Sequence, residues 1–287
     1  MSEKLEKGGL PAGLYFVATP LGNARDITLR ALDVLRDADV LAAEDTRSLR
    51  RLMEIHGVPL GGRRVMPYHD HNGKVQRPKL IAAVNEGHSV AYASDAGSPL
   101  IADPGFALAR DAIAAGCRVE AVPGPAAVIA ALSVAGLPTD RFTFAGFPPN
   151  AKGARETFLR ELTNATGTLI LYESPKRVAA TLDVMVEVFG PDRQGALCRE
   201  LTKKFEEVRR GTLSDLAEGA TADPPRGEIV LCIAEAPAPV APGTDEIEAA
   251  LREALASARL KDAAREVADR FGLPRRDVYQ IGLGLTD

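Results

Sequence analysis

Several side chains that could accept a proton follow the apolar runs of this sequence. They are Glu44, Asp45, His69, His71, Asp95 and Glu173. Open α/β sheets bind their ligands at the carboxyl ends of strands, and a general base placed there typically contributes about 10²–10⁴-fold to a rate. His69 and His71 form the one close histidine pair in a chain with four histidines, and histidine titrates near neutral pH. The pair could equally be polar loop residues that pack or cap, and the sequence leaves both interpretations open.

The loop at 94–105 directly follows the buried run at 90–93 and carries Asp95. Its small residues would let the backbone approach a ligand closely. Asp103 and Pro104 have the types expected of a helix cap and a first helical residue, so we predict that the next helix begins there. The alternative for this loop is a tight turn that binds nothing.

Metal binding and nucleotide binding are not indicated. His69, Asp70 and His71 could present ligands from one loop, but no further partners stand at a convincing spacing, and we expect no metal. A second glycine-bearing turn, at 19–23, follows the first apolar run. Neither this turn nor the loop at 94–105 matches the G-x-x-x-x-G-K-S/T or G-x-G-x-x-G motif, which disfavours a P-loop and a dinucleotide-binding Rossmann site.

Apolar runs that alternate with helical patterns predict an α/β fold made of strand–helix units. The first predicted domain, at 1–122, has strands at 14–18, 40–43, 90–93 and 119–122. Its predicted helices include one that begins at an Asp26 cap, one at 80–84 and one at 106–115. The proline-rich break at 123–125 predicts the end of this domain.

A further α/β domain is predicted at 123–236. Its strands are predicted at 142–144, 168–172, 196–199, 208–213 and 228–233, and its helices near 126–135, 151–162 and 176–189. Three prolines between Ala236 and Gly243 predict an extended linker at 237–244. Apolar residues at helical spacing beyond it predict a three-helix tail at 245–287 that resembles a helix–turn–helix.

The composition is that of a globular protein, with 46% hydrophobic and 26% charged residues. The formal net charge of −4 gives no global positive field, so any nucleic-acid contact must come from local basic patches. Cys117, Cys198 and Cys232 stand far apart in or beside apolar runs, which predicts packing residues rather than zinc ligands or a redox pair. A charged start and the lack of an apolar run of membrane length predict a cytoplasmic protein without a signal peptide.

Five motifs stand in a distinctive order along the chain. They are Thr19-Pro20-Leu21-Gly22-Asn23 with Asp26-Ile27-Thr28, Ala43-Glu44-Asp45-Thr46-Arg47, His69-Asp70-His71-Asn72, the loop at 94–105 and Pro123-Gly124-Pro125-Ala126-Ala127. From Gly13 to about Ile233 this pattern resembles the ribosomal RNA small-subunit methyltransferase I family, and the tail resembles that family's helix–turn–helix. The resemblance implies a two-domain class III, tetrapyrrole-methylase-like enzyme that binds S-adenosyl-L-methionine between its domains. It further implies 2′-O-methylation of a cytidine in the decoding region of 16S ribosomal RNA within the 30S subunit, and a homodimer.

Carried over residue by residue, the resemblance implies cofactor contacts on loops of both domains. They are Pro20, Ser94, Asp95, Ala96, Gly97, Ser98, Pro123, Ala126, Ala127, Tyr172, Gly227, Glu228 and Ile229. The catalytic candidates are Glu44, Asp45, His69 and Asp95. The candidates for contact with RNA are Arg47, His71, Asn72 and Lys74.

The charged run from Glu44 to Arg47 ends a predicted buried strand, where packing alone does not account for charge. A role in holding RNA or an active-site network is therefore favoured. Two other functions stay open. A small-molecule methyltransferase would need an apolar substrate cleft and no tail, and an RNA-binding assembly module would keep RNA affinity without binding a cofactor. The first turn is less glycine-rich than that of tetrapyrrole methylases, which argues against a porphyrinoid substrate.

Overall fold

The computed structural model describes residues 9–69, 71–236 and 242–286. The chain divides into two compact units, Met1–Ala236 and Pro237–Asp287. The described part of the first unit contains two sheets with their helices, and that of the second contains three helices. The predicted α/β class is confirmed. The domain boundary at 122 and 123 stays a prediction, since both sheets fall within one compact unit.

The first sheet is built from the strands β1 (Gly13–Val17), β2 (Val40–Ala43), β3 (Val65–Pro67), β4 (Ser89–Ala93) and β5 (Val119–Val122). Its helices are α1 (Leu29–Asp37), α2 (Thr46–Ile55), α3 (Gly73–Asn85) and α4 (Phe106–Ala114). All strands are parallel, in the order β3-β2-β4-β1-β5. Tyr15 and Val17 belong to one apolar cluster, and Leu14 and Phe16 belong to another. Both faces are therefore covered, as an all-parallel sheet requires.

The second sheet contains β6 (Phe142–Phe144), β7 (Thr168–Glu173), β8 (Gln194–Arg199), β9 (Glu207–Thr212) and β10 (Ile229–Ile233). Its helices are α5 (Ala127–Ala135), α6 (Lys152–Glu161), α7 (Val178–Phe189) and α8 (Leu213–Ala222). The strand order is β6-β7-β10-β8-β9, with β6 and β7 parallel and the other pairs antiparallel. Because β10 inserts between β7 and β8, Val230 lies opposite Tyr172. The start of β10 is thereby placed beside the end of β7.

The cysteines are packing residues, as predicted. Cys198 and Cys232 are buried on β8 and β10 in the apolar cluster that includes α5. Cys117 is half-buried and packs against the core of the first sheet.

The predicted Asp26 cap is wrong. Asp26 ends a short 3₁₀ turn, Ala24–Asp26, which forms because the Asn23 side chain accepts the Arg25 amide N–H at 3.1 Å. The following helix, α1, begins at Leu29 and is capped by Thr28, whose hydroxyl accepts the Ala31 amide N–H at 3.1 Å. Threonine is among the preferred N-cap residues, so a second suitable cap stands two positions later.

The predicted cap at Asp103 and Pro104 is also wrong. Helix α4 begins at Phe106, after Gly105 adopts a φ of +123° that is accessible chiefly to glycine. This conformation turns the chain between Pro104 and the helix. Asp103 therefore lies in the loop before α4 rather than at its cap.

The tail consists of α9 (Thr244–Leu255), α10 (Leu260–Phe271) and α11 (Arg275–Thr286) around their own apolar core. Gly272 ends α10 in the left-handed conformation, with φ +65°. Residues 237–241 of the predicted linker lie outside the described residues, and α9 already begins at Thr244. Among the described helices, none has the length and apolar character that a bilayer crossing requires.

Candidate functional site

A cavity of about 430 Å³ opens where loops that follow β1, β2 and β4 meet loops of the second sheet. Its lining consists of Leu21, Glu44, Asp95–Ser98, Ile101–Asp103, Ala126, Ala127, Phe147, Tyr172–Pro175 and Gly227–Val230. Most of the cofactor contacts implied by the resemblance are thus brought together. Pro20, Ser94 and Pro123 do not line the cavity.

The turn after β1 and the loop after β4 are joined into one wall. Thr19 and Gly97 form an antiparallel bridge with both amide-to-carbonyl distances at 2.9 Å. The Ser94 hydroxyl donates to the Gly97 carbonyl at 2.7 Å, and the Thr19 hydroxyl donates to the Ser94 carbonyl at 3.0 Å. Ser94 therefore holds the loop in shape without lining the cavity, whereas Asp95, Gly97 and their neighbours line it.

Gly97 is required by this geometry. Its φ is +79°, and a β-carbon added there would lie 3.1 Å from Leu21 Cδ2, which itself lines the cavity. A larger residue would both strain the backbone and fill the space where a ligand could lie against the loop.

The opposite wall is apolar and aromatic. Ala126 and Ala127 stand at the start of α5, and Tyr172 packs edge-on against Phe147 with ring centroids 5.4 Å apart. Burial raises the pKa of Tyr172 to about 12, so its hydroxyl stays protonated at neutral pH. This wall can exclude water from a ligand and offer one hydroxyl for a hydrogen bond.

Carboxylates give the cavity a negative field. Glu44, Asp95, Asp103, Glu173 and Glu228 line it, and no lysine, arginine or histidine occurs among the described lining residues. Burial, followed by the charges of Glu44, Asp95 and Glu228, raises the pKa of Asp103 to about 7. The site therefore favours a cationic ligand and disfavours a phosphate-bearing one.

Glu173, a candidate base, is held by a buried network. Its carboxylate accepts from the Ser174 amide at 2.7 Å, Arg177 Nε at 2.8 Å and the Thr181 hydroxyl at 2.6 Å. Arg177 also donates to Asn150. The side chain of Glu173 is fully buried in this ion pair, so the group positions the backbone at Tyr172–Pro175 rather than facing a ligand as a mobile base.

Lys203 joins the second sheet to the first turn. Its Nζ donates to Glu200 at 2.9 Å and to Glu228 at 3.0 Å, and its side chain lies against Gly22, where no β-carbon would fit. The Glu200 carboxylate also accepts the Glu228 amide at 3.0 Å. These contacts fix the Gly227–Ile229 side of the cavity.

Asp45 supports the site from outside the cavity. Its amide donates to Asp95 Oδ1 at 2.9 Å, while its carboxylate caps α2 and pairs with Arg47 at 2.8 Å. Hydrogen bonds from Arg47 lower the pKa of Asp45 to about 2. Asp45 is thus a constantly charged group, and the Arg47 side chain is 89% exposed.

The histidine loop follows the edge strand β3 and does not line the cavity. The Asn72 side chain accepts the His69 amide at 3.0 Å and donates to the Pro67 carbonyl at 3.0 Å, which shapes the turn into α3. The rings of His69 and His71 lie 5.9 Å apart, Lys74 lies in the first turn of α3, and Asp70 lies outside the described residues. Among the described residues, no three or more His, Cys, Asp or Glu side chains are clustered so that they could hold a metal ion.

Sequence reasoning missed part of the cavity wall. Leu21, Phe147 and Asp103 were not among the site candidates, and the loop signal at Asp103 was interpreted as a helix cap. The position of Asp103 within a small-residue loop after a buried strand was the signal that could have identified it.

Comparison with known proteins agrees with this fold. Residues 13–217 match the family model of Tetrapyrrole (Corrin/Porphyrin) Methylases, and residues 241–286 match the RsmI C-terminal HTH domain. The solved structure of uroporphyrin-III-C-methyltransferase from Thermus thermophilus aligns with a TM-score of 0.53 and 24% identity, over 77% of this chain and 94% of that chain. The methyltransferase CobJ aligns with a TM-score of 0.60 and 19% identity, over 80% of this chain and 95% of that chain. The chain is therefore a member of the tetrapyrrole methylase family.

Curated relatives define the branch of that family. Ribosomal RNA small subunit methyltransferase I of Mesorhizobium japonicum is 48% identical, over 97% of this chain and 94% of the relative. The protein of the same name from Pseudomonas aeruginosa is 44% identical, over 94% of this chain and 96% of the relative. This chain belongs to the ribosomal RNA small subunit methyltransferase I family.

Proposed function

We propose that the protein transfers a methyl group from S-adenosylmethionine to the 2′-hydroxyl of a cytidine in the decoding region of 16S ribosomal RNA, within the 30S subunit. The observation that carries the proposal is the acidic, small-residue cavity at the carboxyl ends of β1 and β4. The names of the relatives support ribosomal RNA as the acceptor. Such a substrate would place the enzyme in the cytoplasm.

The cavity residues fit this cofactor. S-adenosylmethionine carries sulfonium, ammonium and carboxylate groups, with a net positive charge. The described lining offers five carboxylates and no lysine, arginine or histidine, and two of these carboxylates are paired with Arg177 and Lys203 behind the wall. Gly97 leaves open the space that a β-carbon would take, so the backbone of 96–98 can approach a ligand closely. Asp95, Gly97, Ala126, Ala127 and Tyr172 are the residues that we assign to cofactor binding.

Positioning accounts for much of the expected rate acceleration. When bound, S-adenosylmethionine supplies an activated methyl group. The loop at 95–98 and the apolar wall at Ala126 and Tyr172 would hold the reacting groups in line and exclude water, and such orientation can lower a barrier by several kcal/mol. Asp45 would keep Asp95 in place through its amide hydrogen bond.

A basic surface suited to RNA adjoins the cavity. A second cavity of about 790 Å³ shares Pro175 with the first and carries the cations Lys176, Arg199, Arg209 and Arg226, with Asp223 beside Arg209 as its one acidic residue. The Glu207 carboxylate orients both Arg199 and Arg209, with Nε–Oε distances of 2.6 Å and 3.0 Å. A local patch of this kind is what a chain with a net charge of −4 needs in order to bind a phosphate backbone. Arg47, His71, Asn72 and Lys74 would extend the RNA contact on the first sheet.

The tail carries a basic site of its own. A cavity of about 430 Å³ is lined by Lys261, Arg265, Arg275, Arg276 and Tyr279, with Asp262 as its one acidic residue. The tail has more acidic than basic residues in total, so these cations are segregated rather than spread. We assign this surface to phosphate groups of the ribosomal subunit.

A homodimer is proposed from the family resemblance. Light scattering at micromolar concentration should give twice the mass of 30.4 kDa. A monomer mass would contradict this assignment.

The competing small-molecule methyltransferase would have no use for the basic surface or the tail. Mass spectrometry of 16S ribosomal RNA from cells lacking the protein distinguishes the two functions. We expect the loss of one 2′-O-methylcytidine, its return with the wild-type gene, and no return with Gly97→Val. An unchanged set of ribose methylations in the deletion strain would refute the proposed function.

A further inference from the structure

Phe147 is an exposed aromatic residue in the wall of the proposed cofactor cavity. It and Tyr172 are the two aromatic residues among the described residues of the lining. The side chain of Phe147 is 54% exposed, whereas Ile229 and Val230, which line the same cavity, are buried. A single exposed phenylalanine on an open surface needs no explanation. One that lines a cavity and stays uncovered is available to a ligand that enters from solvent.

The backbone on both sides of Phe147 is fixed. Gly146 turns the chain with a φ of +70°, and its carbonyl accepts the Tyr172 amide N–H at 2.9 Å. Pro148 follows and is buried, and a proline restricts the residue before it to extended conformations. Asn150 accepts a hydrogen bond from the residue that precedes α7. The exposed ring is thus carried by a short segment that is anchored at both ends.

The ring of Phe147 is held by Tyr172. The two rings pack edge-on, with centroids 5.4 Å apart and an interplanar angle of 64°. Tyr172 in turn packs edge-on against Phe144 on β6, with centroids 4.9 Å apart. These contacts support the Phe147 ring and leave more than half of its side chain exposed. A planar apolar ring held in this way can stack on the ring of a ligand.

The segment that supports Phe147 leads directly to the basic surface. Three residues after Tyr172, Pro175 lines both the cofactor cavity and the basic cavity. Lys176 lines the basic cavity next to it. An RNA strand with its phosphates in the basic cavity would therefore pass Pro175 and bring a nucleotide to the rim of the cofactor cavity, where Phe147 is exposed.

The cofactor has other apolar partners in the cavity. Ala126 and Ala127 line it from the start of α5, and the buried residues Ile229 and Val230 line it from β10. These residues and the carboxylates can cover S-adenosylmethionine without Phe147. The exposed ring is then left for the second substrate.

We propose that Phe147 stacks on the cytosine ring of the acceptor nucleotide. The inference rests on the proposed function and concerns how the same site holds its acceptor. Stacking on the base would fix the attached ribose and keep its 2′-hydroxyl in line with the methyl group. Because aromatic stacking accepts any base, Phe147 orients the acceptor and does not select cytosine over other bases.

Single-turnover methylation of 30S subunits from cells lacking the protein tests the stacking. At saturating subunit concentration, Phe147→Ala should be about 10- to 100-fold slower, the size of effect expected from loss of one base–aromatic stack. Phe147→Tyr keeps the ring and should retain most of the rate. Phe147→Leu keeps an apolar side chain without a ring and should stay slow, an outcome not expected of a residue that only packs. Calorimetry should give each variant an affinity for S-adenosylmethionine near that of the wild type.

Phe142 is the matched control. It lies on β6, is 43% exposed and is not among the described residues that line the cavity. Phe142→Ala and Phe142→Leu should methylate the subunit at a rate near that of the wild type. Circular dichroism shows whether each variant is folded.

Fluorescence detects the contact without turnover. The chain contains no tryptophan, so Phe147→Trp introduces a single indole at the rim of the cavity. Stacking on a nucleobase should quench this indole when 30S subunits and S-adenosylhomocysteine are added, relative to the wild-type protein mixed with the same components. Phe142→Trp should show little quenching.

Several results would overturn the assignment. They are a wild-type rate for Phe147→Ala or Phe147→Leu, an unquenched indole in Phe147→Trp, loss of cofactor affinity in folded Phe147→Ala, or a change in the oligomeric mass of that variant relative to the wild type. The loss of affinity would place the ring against the cofactor, and the change in mass would place it between subunits. Failure of the wild-type protein to methylate any site on the subunit would instead overturn the proposed function, and that result requires no variant.

Discussion

At the scale of single residues, Gly97 provides a sharp test of the cofactor assignment. We expect Gly97→Val to abolish measurable binding of S-adenosylmethionine, because the new side chain enters the cavity next to Leu21. Isothermal titration calorimetry measures the loss. Gly87 is a matched control, since it also has a positive φ, +94°, but a β-carbon there meets nothing within 4 Å. If Gly87→Val loses the cofactor as well, backbone strain rather than the cavity explains the effect.

Variants at Arg47 and His69 test which residues bind the cofactor and which contact the RNA. Neither residue lines the cavity, and Arg47 is exposed at the start of α2. We expect Arg47→Ala and His69→Ala to bind S-adenosylmethionine normally and to methylate the 30S subunit more slowly, since orientation of the acceptor is lost. Single-turnover rates and cofactor titrations separate the two effects. A normal rate for His69→Ala would make the histidine loop structural, and loss of cofactor by Arg47→Ala would make the division wrong.

At the scale of elements, most strands were predictable, whereas the edge strand β3, the helices α2 and α8 and two helix caps were not. Buried runs such as Val90–Ala93 differ from the observed strands by only a residue or two, because an apolar run in a parallel sheet is a local signal. The caps at Asp26 and Asp103 were predicted from residue type alone. In the structure the hydroxyl of Thr28 caps α1, and the backbone conformation of Gly105 sets the start of α4.

The network around Glu173 is an element-scale prediction. Glu173→Gln would remove the charge that partners Arg177, and breaking a buried ion pair typically costs about 3 kcal/mol. Urea unfolding should show a loss of this size, with weaker cofactor binding because Tyr172–Pro175 lines the cavity. The exposed pair Glu156–Arg160 is the control, where Glu156→Gln should change stability by less than about 1 kcal/mol. Equal effects at both positions would contradict the assigned role of the buried network.

At the scale of the whole molecule, the site joins residues that are distant along the chain. Tyr172 and Gly227 meet because β10 inserts between β7 and β8, a pairing that no local pattern in the sequence reveals. Only the resemblance placed them in one pocket. The positions of Asp95 and Gly97 in the site, by contrast, were predictable from one loop. A glycine-bearing turn directly after a buried strand can be recognised from neighbouring residues, and such turns lie where open α/β sheets bind their ligands.

The tail permits a test at the same scale. Deleting the residues after Gly243 should leave S-adenosylmethionine binding intact, because the described residues that line the proposed cofactor cavity all lie at or before Val230. Methylation of the 30S subunit should fall, since the basic surface at Lys261 and Arg276 is removed. Calorimetry and single-turnover methylation measure the two quantities.

Charge reversal shows whether that surface, rather than the bulk of the tail, is responsible. The double variant Lys261→Glu and Arg276→Glu should reproduce the loss of methylation and flatten its dependence on salt, because fewer phosphates are neutralised. Arg252→Glu, on α9 and outside the cavity, is the control and should stay near wild type. Unchanged methylation of the assembled subunit by both the deletion and the double variant would make the tail dispensable for substrate binding.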